Sequence, residues 1–185
     1  MIVQLTGLPG TGKTTLATSL GRHFGDRCLL LDKDLVRAAL YGASGQVAYQ
    51  REQDDFVVSL LHLAARERLT RDPDAVVVLE RTGTRAYQLA DVTQLATTLG
   101  QPLAVIHCWC PDDVVRDRLD ADHHGRTHPA RNRTFSLYQQ LQESAEPITV
   151  PALRLRTDTA AEELLAAALG YLDQLDTNRS EAAAR

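Results

Sequence analysis

"GLPGTGKTT", residues 7–15, decides how the chain is read. Gly7, Gly12, Lys13 and Thr14 satisfy the spacing G-x-x-x-x-G-K-[ST]. An apolar run, Ile2–Leu5, precedes the stretch as a strand, and Leu16, Ala17 and Leu20 follow it at helical spacing. In a strand–loop–helix turn of this kind the glycines let the backbone curl, so that successive N–H groups point inward at phosphate oxygens. The helix N-terminus adds its partial positive charge. Pro9, Gly10, Thr11 and Thr15 complete the loop. Lys13 has the reach for β- and γ-phosphates, and the Thr14 hydroxyl is a ligand for Mg²⁺. The stretch therefore predicts a nucleoside triphosphate with Mg²⁺ and is silent on what is phosphorylated.

Outward from the loop, short apolar runs alternate with helical periodicity. Strands are expected at Ile2–Leu5, Cys28–Leu31, Ala75–Leu79, Leu103–Cys108 and Leu153–Leu155. Helical stripes lie between them: Phe56, Leu60, Leu63 and Ala64; Leu89, Val92, Leu95, Ala96 and Leu99; Tyr138, Leu141 and Ala145; Leu165, Leu169 and Leu172. Alternation of this kind predicts right-handed βαβ units and an α/β three-layer sandwich around a five-stranded, mainly parallel sheet. Ligands of such sheets bind beyond the carboxyl ends of the strands, so the residues just after each strand are the ones to inspect. We expect a single domain over residues 1–175 and a frayed tail over 176–185.

The chain of 185 residues is 44% hydrophobic and 24% charged, as in ordinary soluble proteins, and its formal charge is −4. That balance carries no global basic footprint for nucleic acid. Lysine is nearly absent, with Lys13 and Lys33 set against eighteen arginines, so a lone arginine counts for little. Cys28, Cys108 and Cys110 do not form a disulfide framework and fit a reducing compartment. The C-x-C pair reads as small buried hydrophobes. No apolar run reaches membrane-spanning length, and the N-terminal run is too short for a signal peptide, so a cytoplasmic location is expected.

After the second strand comes "LLLDKDLVRAAL", residues 29–40. Asp34 and Arg37 sit at i and i+3 and share one helical face, while Asp32 stands at the strand end. The same residues also suit a helix cap and a surface pair worth a few tenths of a kcal/mol. Glu80 closes the third strand, followed by Arg81 and Thr82. The guanine-recognition pattern N-K-x-D is absent, and the D-x-x-G match at Asp122–Gly125 reads as chance in a polar loop.

Together the loop, "DKDLVR", "AVVVLE" and "HCWCPDDVVRDRL" resemble the small P-loop kinases, the group of polynucleotide 5′-hydroxyl kinases and chloramphenicol-phosphotransferase-like enzymes, over roughly residues 1–172. The resemblance implies a P-loop NTPase fold of the nucleoside-kinase kind, ATP and Mg²⁺. It makes Asp34 the general base on an acceptor hydroxyl and Arg37 the holder of an acidic group of the acceptor. Asp32 would orient Asp34 or a metal-bound water. At Glu80 the group typically has Asp as the metal-orienting residue, so Glu80 would join Thr14 there with a longer reach. Arg85 would face the acceptor. Between Arg116 and Arg133 lie five arginines in the place of the lid. Arg118 and Arg126, then Arg131, are the candidates for stabilising the transferring phosphoryl. His123, His124 and His128 of the same segment read as polar loop residues. Thr157 and Asp158 read as helix caps.

The resemblance implies a kinase passing the γ-phosphate of ATP to a hydroxyl of a nucleoside, sugar or antibiotic. A polynucleotide 5′-hydroxyl kinase is the alternative, favoured by Arg37 but opposed by the net charge and by only nine aromatic residues. A nucleotide-binding switch or slow ATPase without an acceptor is the third reading. The acceptor pocket is expected within residues 35–60, with Tyr41, Tyr49, Gln50 and Arg51 in a glycine-bearing loop.

Overall fold

A computed structural model describes residues 1–125 and 133–183. Five strands, β1 (Ile2–Thr6), β2 (Cys28–Asp32), β3 (Val76–Glu80), β4 (Leu103–Trp109) and β5 (Leu153–Arg156), form one sheet in the order β2-β3-β1-β4-β5. Every pairing is parallel. All five expected strands are present, each within a residue or two of its expected end. The register sets Asp32 and Leu5 both opposite Glu80, so the first three strands deliver their last residues at one level. Among the described residues seven α-helices connect and follow the strands: α1 (Lys13–Phe24), α2 (Lys33–Tyr41), α3 (Arg51–Arg71), α4 (Ala86–Thr98), α5 (Asp112–Gly125), α6 (Phe135–Glu143) and α7 (Ala161–Ala183).

Strand alternation divides the core. Val3, Leu5, Val78, Ile106 and Cys108 face α1 and α7, where they meet Leu16, Leu20, Leu164 and Ala168. Ile2, Val77, Leu79 and Val105 face α3 and α4, where they meet Leu61, Ala65, Leu69, Leu89 and Val92. Strands covered on both faces read as unbroken apolar runs, and for that reason they were legible in the sequence. The edge strand β5 buries Leu155 and exposes Arg154 and Arg156, whose guanidinium carbons lie 4.8 and 5.7 Å from the centroid of the Trp109 ring.

Three expectations are corrected. On α3 the buried stripe is Val57, Leu61, Ala65 and Leu69, one residue on from the one predicted, and Phe56 and Leu63 are exposed. The helix carries two interleaved apolar sets, and only contact with β3 and α4 selects between them. Residues 122–125 belong to α5 and not to a polar loop. The segment expected to fray continues α7 as far as Ala183.

The two leucines of α3 test this face directly. Leu61→Ala is expected to lower stability by about 2–5 kcal/mol. Leu63→Ala, at 62% exposure, should stay within about 0.5 kcal/mol of wild type in urea-unfolding curves.

Candidate active site

The phosphate loop begins where β1 ends. Gly7 has φ +140°, and a Cβ there would lie 2.3 Å from the Cys108 carbonyl oxygen, so only glycine passes. Its N–H donates to the Thr82 carbonyl at 2.9 Å, tying the loop to the exit of β3. Gly12, at φ +79°, stands directly before α1 and lets Thr157 and Arg118 pack against the loop. Lys13 is buried, and its Nζ donates back to the Leu8 carbonyl at 3.0 Å. Burial lowers its pKa, while Glu80 opposes that shift.

Across the cleft, the Thr14 hydroxyl donates to Glu80 Oε1 at 2.7 Å. Glu80 Oε2 is buried and has no hydrogen-bond partner. Burial raises the Glu80 pKa above the ordinary carboxylate range, against the pull of Lys13 and the Thr14 hydroxyl. A hydroxyl beside a carboxylate with a free buried oxygen suits Mg²⁺, which takes few protein ligands and fills its shell with water and phosphate oxygens.

Asp32 and Asp34 separate cleanly. Asp32 is the N-cap of α2: its Oδ1 accepts from the N–H groups of Asp34 (2.7 Å) and Leu35 (3.3 Å). Asp34 Oδ1 accepts from Arg37 Nη1 at 2.6 Å. Asp34 also acts electrostatically on both Lys13 and Glu80. Arg37, 3% exposed, passes its other nitrogen, Nη2, to Asp54 Oδ1 at 2.5 Å.

Asp54 is the centre of a charge network that the sequence did not announce. It accepts from Lys33 (2.5 Å), Arg37 (2.5 Å) and Arg81 (3.2 Å). Burial, the largest single effect, pushes its pKa up, but the three cations together outweigh it and hold the carboxyl below the usual range. Arg81 also bonds Asp55 at 2.8 Å, and Asp55 receives the Tyr87 hydroxyl at 2.9 Å. Glu52 and Asp54 in the first turn of α3, with Asp55 following, read as an ordinary acidic helix start. Arg81 was within reach of the rule that residues after strands be inspected.

One cleft of about 540 Å³ gathers most of these residues. Lys13, Asp32, Asp34, Arg37, Glu80 and Arg85 line it, with Tyr49, Gln50 and Arg51 from the expected acceptor segment. Tyr41 does not. Arg85 is the N-cap residue of α4 and pairs with Glu146 at 3.4 Å.

The arginines of the lid segment depart from expectation. Arg118 is not aimed at the cleft: its guanidinium donates to the Gly10 carbonyl (3.3 Å) and the Thr157 carbonyl (2.8 Å), because α5 packs against the loop's outer side. Thr157 is no helix cap either; its hydroxyl donates to the Thr11 carbonyl at 2.9 Å. Arg126 and Arg131, with His128, lie outside the described residues. Arg133, which sequence reasoning passed over, lines the cleft and pairs with Asp122 at 3.1 Å.

A glycine loop on a helix N-terminus, at the carboxyl edge of a parallel sheet in this strand order, defines a P-loop nucleotide-binding protein. The chain belongs to the AAA domain family AAA_33, small P-loop kinases, whose profile it matches over residues 2–148. It is 33% identical over 116 residues to the adenylyl-sulfate kinase of Myxococcus xanthus (strain DK1622), a match covering 62% of this chain and 60% of that protein. The fold is shared with a gluconokinase from Sinorhizobium meliloti 1021 (TM-score 0.68, 18% identity, covering 97% and 95% of the two chains). It is shared as well with the Mycobacterium tuberculosis APS kinase CysC, solved with AMPPNP and APS (TM-score 0.64, 20% identity, 93% and 96%). Among the described residues no helix is long and apolar enough to cross a membrane.

The raised Glu80 has a measurable consequence. The folded protein holds this proton to higher pH than the unfolded chain, so stability falls as pH rises from the ordinary carboxylate range to the raised native value. Glu80→Gln removes that loss and keeps an acceptor for Thr14. Without nucleotide its melting temperature should exceed that of wild type at pH 8, by about 2–4 °C per kcal/mol recovered, and the gap should close near pH 4.

Proposed function

We propose that the protein is an ATP-dependent phosphotransferase that moves the γ-phosphoryl group to a hydroxyl of a small acceptor. The observation that carries this reading is the convergence of Lys13, the Thr14–Glu80 pair and Asp34 on one cleft at the carboxyl edge of the sheet. The triphosphate is held by the loop N–H groups and the N-terminus of α1. Lys13 leaves the Leu8 carbonyl and meets the β- and γ-phosphates. Thr14 and Glu80 would hold Mg²⁺, which would offset phosphate charge when bound.

Asp34 is the general base. It takes the acceptor's proton as the hydroxyl oxygen bonds to the γ-phosphorus. The bond from that phosphorus to the β–γ bridging oxygen breaks, and its electron pair leaves with ADP. Asp32 is spent as a helix cap, which supports Asp34 over Asp32 in this role. Arg37 positions Asp34 by its bond at 2.6 Å. Arg85 and the Tyr49–Arg51 segment form the acceptor wall. Arg133 takes the lid role of stabilising charge on the transferring phosphoryl. Arg118 fixes the phosphate loop against the turn after β5. The same reading places the protein in the cytoplasm.

The experiment is an acceptor screen with γ-labelled ATP and Mg²⁺ against nucleosides, sugars, antibiotics and 5′-hydroxyl oligonucleotides. Label transfer to one class supports the kinase. ATP turnover unchanged by every acceptor and by Asp34→Asn would instead mark a switch or slow ATPase. With an accepted substrate, Asp34→Asn should lower kcat by about 10²–10⁴-fold while the Kd for ATP changes less than about twofold.

A further inference from the structure

The acceptor end of the cleft is rich in cations, yet each is already engaged. Lys33 and Arg37 are held by Asp54, and Arg37 by Asp34 as well. Arg81 is shared between Asp54 and Asp55, Arg51 pairs with Asp55 at 3.4 Å, and Arg85 with Glu146. With the cap residue Asp32, the wall and the side chains supporting it carry five charges of each sign. The best-placed cations are also the least able to change partner. Arg37 is 3% and Arg81 5% exposed, and the terminal nitrogens of each bond two carboxylates from α2 and α3, while the Nε of each is buried and has no partner.

An acceptor bearing phosphate, sulfate or carboxylate beside its reacting hydroxyl needs an uncommitted cation. At Arg37 or Arg81 it would have to displace Asp34 or Asp54 from a buried guanidinium and strand that carboxylate beside its own negative charge; the more exposed Arg51, Arg85 and Arg133 are engaged by Asp55, Glu146 and Asp122. A hydroxyl makes no such demand. It donates to a carboxylate oxygen and accepts from an N–H without displacing either. Asp34 and Asp54, 26% and 20% exposed, are open enough to take such bonds. The rings of Tyr49 and Tyr87 line the same wall and offer apolar contact.

We infer that the acceptor is an uncharged polyhydroxy compound, and that Asp54 sets this preference by neutralising Lys33, Arg37 and Arg81. The inference rests on the kinase reading and narrows its substrate class. Asp54 acts here through the cations it holds and is a specificity-determining residue.

The test uses matched acceptor pairs that differ only in charge: an alditol and its aldonate, a hexose and its 6-phosphate, a nucleoside and its 5′-monophosphate. Label transfer from γ-labelled ATP is followed with the full-length protein. At least one uncharged member should be phosphorylated with kcat/KM ten times or more above that of its anionic partner. Its kcat/KM should change less than twofold between 50 and 300 mM salt. Asp54→Asn releases the three cations and should raise kcat/KM for the anionic partner at least tenfold, with the native fold checked by circular dichroism. If that variant does not fold, Asp55→Asn, which frees Arg51 and part of Arg81, should shift the ratio in the same direction. Transfer chiefly to the anionic members by wild type, or no shift of the ratio in either folded variant, overturns the inference and leaves the kinase reading standing. Absence of transfer to every member of every pair overturns the kinase reading, and this inference with it.

Discussion

Where β1 ends, the backbone must turn between its two neighbours with no room for a side chain. Gly7 gives its N–H to Thr82 beside one strand, and a Cβ on it would collide with the Cys108 carbonyl of the other. That squeeze fixes the start of the phosphate loop relative to β3 and β4 together. Thr14, in the first turn of α1, is thereby brought against Glu80, and Lys13 into the same cleft. The register that sets Asp32 opposite Glu80 then places the start of α2, with Asp34, beside them. A constraint on one backbone position thus organises a site drawn from three strands and two helices.

The far side of the cleft is ordered by charge where the near side is ordered by backbone. Asp54 collects cations from α2 and from the end of β3 onto a carboxylate of α3. Pairing of this kind contributes little net stability, because burial costs the ions much of what attraction returns. Its effect is geometric: Arg37 is held from two sides, and Asp34 is held by Arg37.

What the sequence disclosed follows from the range over which each signal acts. Doubly covered strands make unbroken apolar runs, and a phosphate loop is a local pattern, so the sheet and Gly7–Thr14 were legible. The register of α3 was not, because Phe56–Leu63 and Val57–Leu61 are equally good stripes until β3 and α4 select one. Nor was Asp54, whose partners lie 17, 21 and 27 residues away along the chain. In the sequence only the resemblance favoured Asp34 over Asp32 as base; in the structure two backbone hydrogen bonds to Asp32 distinguish them. Arg118 misled for the opposite reason: its place in an arginine-rich segment suggested reach, whereas its helix turns it to the loop's outer side.

The parallel sheet has two edges, and β5 is one of them. A strand there presents unpaired N–H and C=O groups on which a foreign chain can build. β5 is only four residues long, and two of them, Arg154 and Arg156, keep their charges outward while lying over the Trp109 ring. A strand from another copy approaching this rim meets only a four-residue ladder, and of its two arginines Arg156, unlike Arg154, is also held by Asp158 at 2.7 Å. Shortness and bulky charged side chains make this edge a poor template for a further strand.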